Sequence, residues 1–62
     1  MNGYYPLVRD VLKAHGYTLL RQGAGSHEIW SNGQRNQTVS LNMPSRHMAN
    51  TIMKQAGIAH RF

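Results

Sequence analysis

Residues 17–33 read YTLLRQGAGSHEIWSNG, and the two glycine-centred breaks in this stretch decide the fold. From Tyr17 to Gln22 the residues are β-formers, with Leu19 and Leu20 set between polar ones, and Gly23-Ala24-Gly25 then interrupts the run as a short hairpin loop does. A second strand is predicted over residues 26–31. Asn32-Gly33 is a hairpin signal because both residues tolerate positive φ, and the alternation resumes over residues 37–41 with Val39 and Leu41 on one face. Three consecutive antiparallel strands follow from this pattern. Within the second strand, period-two alternation puts His27 and Ile29 on one face and Glu28 and Trp30 on the other. Either Ile29 is then exposed, or Gly25 introduces a bulge that shifts the register.

Helical patterns flank the strands. Pro6 suits a first helical turn, Leu7, Val8, Val11 and Leu12 recur on one side, and Gly16 closes the segment, so a helix is predicted over residues 5–15. Lys13 and His15 fall in its last turn, where positive charge opposes the helix dipole. After Pro44, Ser45 can cap a second helix whose apolar stripe is Met48, Ala49, Ile52, Met53 and Ala56. Gly57 ends it, Ile58 is placed to fold back onto it, and residues 59–62 are expected to fray. The expected architecture is a single α+β domain over residues 1–62. Its order is α-β-β-β-α, with a three-stranded antiparallel sheet and both helices on one face, because two amphipathic helices cannot otherwise cover the strands. The other face stays open. Double-stranded RNA-binding domains have a related arrangement, although fold likeness alone does not give function.

Size and charge narrow the partners. A chain of 62 residues without Cys has neither disulfides nor a thiolate metal site to staple it, so it rests on packing alone. Seven Lys or Arg stand against only Asp10 and Glu28, a formal charge of +5. That surplus favours a polyanion or an acidic protein as partner. The start, MNGYYPLVRD, lacks the pattern of a signal peptide, and no apolar run is long enough to span a bilayer. A cytoplasmic location and no membrane partner are the expectation.

Chemistry is concentrated at Gly25-Ser26-His27. Gly25 lets backbone approach a ligand closely, Ser26 supplies a hydroxyl, and an imidazole can give or take a proton near neutrality. The functional reading of His27 is a general acid or base. On RNA it would take the proton of a ribose 2′-OH or protonate the departing 5′ oxygen, and neither step needs a metal. The alternative is a strand histidine that packs or bonds locally. Arg21, entering the loop, and Arg46, with His47 at the start of the second helix, are candidate phosphate contacts. Arg35 in the hairpin is a weaker one. Lys13 and Lys54 suit helix C-terminal turns, as His15 does, and His60 lies in the tail. Met48 and Met53 read as core, and Trp30 as buried area rather than a stacking platform. The four His are scattered without an acidic pair, so no metal site and no cofactor is expected.

Taken in order, a first helix closed by Gly16-Tyr17, then Leu20-Arg21-Gln22 leading to Gly25-Ser26-His27, a hairpin, Thr38-Val39, and the closing run Ile52-Met53-Lys54-Gln55-Ala56-Gly57-Ile58 resemble the HicA family of toxin–antitoxin systems, over nearly the whole chain. That resemblance implies an α-β-β-β-α fold like the double-stranded RNA-binding domain. It also implies metal-independent cleavage of messenger RNA by the histidine of the GSH motif, and neutralisation by a HicB antitoxin. The chain departs from the family at two positions. Glu28 stands where many members have a second histidine, and Ala24 where members often have Lys before the motif. His27 alone therefore carries the catalytic expectation, with Gly25, Ser26, Arg21 and Arg46 expected at RNA. A non-catalytic RNA-binding module is the competing reading. A third reading, compatible with the first, is an interaction partner whose basic surface is covered by an acidic protein.

Overall fold

The computed structural model describes residues 2–62. The elements run β1 (Asn2–Gly3), α1 (Tyr5–Ala14), β2 (Thr18–Gln22), β3 (His27–Ser31), β4 (Asn36–Ser40), β5 (Asn42–Met43) and α2 (Arg46–Gln55). β2, β3 and β4 form an antiparallel meander in that order, and the helices cover one face of it, giving the expected α+β order. The short parallel pair β1–β5 was not foreseen, because two residues are too few to show a period. It forms where Asn2 meets Asn42 and Gly3 meets Met43. The Tyr4 amide extends the contact by donating to the Met43 carbonyl at 2.8 Å. Gly3, at φ +63°, is required there, since a Cβ would collide with the Met43 carbonyl oxygen.

Both helices present narrower core stripes than their sequences suggest. α1 buries Tyr5, Val8 and Leu12, and α2 buries Ala49, Ile52 and Met53. Leu7 and Met48, both expected in the core, are 51% and 37% exposed. Each adjoins a buried residue in sequence, and a step of about 100° per residue carries it off a stripe centred on the i, i+3, i+7 positions. Ser45 caps α2 as expected, its Oγ accepting from the His47 amide at 3.1 Å.

The two helix ends are built alike. The Tyr17 amide donates to Leu12 O and the Gly16 amide to Lys13 O, while Ile58 donates to Met53 O and Gly57 to Lys54 O. These are paired Schellman bonds, with glycine at positive φ in each. Tyr17 is therefore the residue that folds back after α1 rather than the start of a strand, and it is buried. Its hydroxyl donates to Ala56 O at 2.8 Å and joins the two helix ends.

Asn32-Gly33 lies in the β3–β4 hairpin as expected, within a four-residue loop, because Ser31 pairs with Asn36. Only Gly33 takes positive φ; Asn32 instead uses its Oδ1 to accept from the Gln34 and Arg35 amides at 2.9 and 2.7 Å. The C-terminal tail does not fray. Ile58 is buried, the Phe62 amide donates to Asn50 Oδ1 at 2.7 Å, and the Phe62 ring packs against Tyr4 at 5.8 Å. Arg35, a weak candidate for phosphate, is occupied within the fold, donating to the Gln55 carbonyl at 3.0 Å beside Gly57.

Candidate active site

The His27 question reduces to which way β3 faces. Along β3, Glu28 and Trp30 are buried while His27 is exposed and Ile29 and Ser31 are half-buried. Cross-strand partners repeat the division: Val39 and Gln37, opposite Glu28 and Trp30, are buried, and Thr38, opposite Ile29, is exposed. No bulge occurs at Gly25. The irregularity lies in β2, where the register shifts between Leu19 and Arg21. Leu20 is thereby set out of the ladder, and Arg21, opposite Ile29, comes onto the open face. Of the two possibilities for Ile29, the structure takes partial exposure.

The turn before β3 is tied down from several sides. Gly25 sits at φ +61°, the His27 amide donates to Ala24 O at 3.2 Å, and the Gly23 amide donates to His27 O at 2.9 Å. A positive φ at the first central position with no other positive φ in the turn is the II′ pattern that matches strand twist. The Ser26 carbonyl accepts from the Leu41 amide at 2.8 Å, which anchors the turn to the chain leaving β4.

This turn also orients the imidazole. His27 Nδ1 lies 3.1 Å from the Ala24 carbonyl oxygen. A carbonyl can only accept, so Nδ1 carries the hydrogen in the neutral ring, and Nε2 is left with the lone pair. The ring is exposed, so Nε2 is available to a ligand on the open face. Arg21 is a diagonal neighbour across the strands, a separation of about 7–8 Å that a long side chain spans. Ser40 is the direct cross-strand partner of His27. Its hydroxyl is spent locally on the Asn42 carbonyl at 3.0 Å.

Glu28, one residue on, has the opposite environment. Tyr5 OH donates to its Oε1 at 2.6 Å, Trp30 Nε1 donates to the same oxygen at 3.0 Å, and Gln22 Nε2 reaches Oε2 at 3.5 Å. A buried carboxylate surrounded only by donors is compensated where it lies. Tyr5 shows the cost: burial, then its bond to Glu28 and the nearby negative charge, push its phenol up from 10.0 to about 12, opposed by Arg9. Position 28 therefore faces the helices, on the opposite side of the sheet from His27.

The structure gathers Arg21, Gly25, Ser26 and His27 at one end of the open face. Arg46 is not among them; it lines a cleft with His47, Asn50, Arg61 and Phe62 at the start of α2. Thr38, quoted above only as part of the resemblance, is exposed on the edge strand β4 opposite Ile29, on the same face as His27. A four-residue count for the loop after Ser31 would have placed it opposite Ile29. Comparison with protein-family models, with curated proteins and with solved structures finds no match to the chain. Among the described residues, no helix is long and apolar enough to cross a membrane.

Proposed function

We propose that this chain is a metal-independent endoribonuclease of the toxin–antitoxin kind, cleaving messenger RNA with His27 as its catalytic residue. One observation carries the reading: an exposed imidazole whose Nδ1 is held by the Ala24 carbonyl, so that Nε2 is the free base on the open face that Arg21 shares. In the reaction Nε2 takes the proton of a ribose 2′-OH. The 2′ oxygen forms a bond to the adjacent phosphorus, the bond from phosphorus to the 5′ oxygen breaks, and that oxygen leaves with a proton drawn from water. Arg21 offsets the negative charge that gathers on the phosphoryl oxygens. Gly25 and Ser26 form the wall of the turn along which the backbone passes, and Arg46 holds a phosphate farther along. The chain acts in the cytoplasm, and a HicB-type antitoxin silences it by covering the open face and its positive charge.

The test is incubation of the purified chain with RNA in chelator. Products ending in a 2′,3′-cyclic phosphate are expected from the parent and none from His27→Ala. Equal cutting by a folded His27→Ala chain overturns the role of His27. RNA recovered intact from the parent points instead to a binding module without catalysis.

A further inference from the structure

The groove between the outer side of α2 and the returning C-terminal tail is the strongest unassigned feature of the molecule. Two adjoining clefts share His47, Asn50 and Arg61; one extends past Arg46 and the other past Lys54 and His60. The tail makes the groove: the bond from the Phe62 amide to Asn50 Oδ1 brings Arg61 alongside the helix.

Charge accounting singles this groove out. Of the seven Lys and Arg, Arg9 pairs with Asp10 at 3.4 Å and Arg35 is bonded to the Gln55 carbonyl. Lys13, Arg21, Arg46, Lys54 and Arg61 make no ion pair among the described residues. Three of those five line the groove. Neither Asp10, paired with Arg9, nor Glu28, buried beneath the helices, lines it. From Arg46 to Lys54 the groove follows α2 for about 12 Å, at the helical rise per residue.

The geometry points to a second anion site here, taking successive phosphates of a single-stranded RNA. Lys54 and Arg61 supply its charge, with Arg46 at the α2 start. Asn50 spends Oδ1 on the tail and keeps its amide donors for an anion. His60 and Phe62, whose rings meet edge to face at 4.6 Å, provide surfaces on which a base can stack. Cations and an amide spaced along a groove, with aromatic rings at its end, are the combination that holds single-stranded RNA, phosphates against charge and bases against rings. The site rests on RNA as the ligand, as proposed above, but not on catalysis by His27.

Fluorescence anisotropy with a 5′-labelled oligouridylate of 12 nucleotides tests it, using the His27→Ala chain throughout so that the probe stays whole. Lys54→Gln/Arg61→Gln should weaken binding at least tenfold at ~0.1 M salt. It should also reduce the slope of log affinity against log salt by about 1.4, at roughly 0.7 per lost contact. Lys13→Gln, a charge removed elsewhere, should change affinity by less than about twofold. Parent-like affinity and slope in a double variant with unchanged circular dichroism and Tm overturns the site. So does displacement of the RNA by polyglutamate at equal charge concentration, which would assign the groove to an acidic protein. Loss of the slope change leaves cleavage at the GSH turn untouched, and absence of cleavage leaves the slope change standing, so the two readings fail separately.

Discussion

His27 and Glu28 are adjacent in the chain and opposite in circumstance. On the open face, His27 has one carbonyl partner, an exposed ring and a cation for a neighbour. On the helix face, Glu28 is 7% exposed and takes bonds from Tyr5, Trp30 and Gln22. The difference follows from the pleat, which sends successive side chains to opposite sides of the sheet. A small domain can therefore keep a reactive group and a stabilising network one residue apart without either disturbing the other. The open face can be changed at little cost in stability, and the helix face cannot.

Four substitutions break or sharpen that contrast. The largest expected effect is on activity: His27→Ala should lower RNA cleavage by at least about 10²-fold, the scale of general acid–base catalysis, while Tm stays with the parent. A parallel fall in Tm would mean that the ring also supports the fold. Next is Glu28→Ala, which strands the Tyr5 hydroxyl and the Trp30 indole N–H in the interior. A loss of about 2–6 kcal/mol is expected from urea unfolding, at about 1–3 kcal/mol for each of the two unsatisfied groups. A neutral result would mean that water reaches the network.

Tyr5→Phe sharpens the same point through pH. The folded-state phenol is raised to about 12 from 10.0, so its neutral form is favoured in the native state. Its stabilisation is whole below pH 10 and is lost as pH climbs toward 12. Tyr5→Phe should be less stable than the parent at neutral pH, by about 1 kcal/mol for the missing bond, and the gap should close between pH 10 and 12 in thermal melts. A gap that stays constant over that range refutes the shift. The smallest effect belongs to Thr38→Ala on the open face, where a change within about 0.5 kcal/mol is expected. A loss approaching that of Glu28→Ala would show that this face is not open.

Legibility in the sequence differed by element. Gly16 and Gly57 marked both helix ends, and Gly25 marked the turn that carries His27, because positive φ selects glycine at those points. The stripes were legible except at one edge residue each: Val8, Leu12, Ala49, Ile52, Met53 and Ala56 are buried, whereas Leu7 and Met48 are not. Alternation grouped His27 with Ile29 and Glu28 with Trp30 but left open whether Ile29 was exposed or a bulge at Gly25 shifted the register; the sheet decided it. The ring's hydrogen bond to Ala24 was not legible, because it depends on how tightly the turn closes. The tail was misjudged for a similar reason: no local pattern in residues 59–62 announces the Asn50 side chain that captures it.

Local chemistry, then, determined the order of helices and strands, the placing of the turns and the presence of an imidazole at the hairpin, since backbone preference and periodicity act over a few residues. Contacts between distant parts of the chain decided the rest. The Leu20 irregularity that brings Arg21 to the open face, the burial of Glu28 beneath Tyr5, the β1–β5 pairing and the tail groove each join residues far apart in sequence. Their energies exist only once the chain has closed on itself.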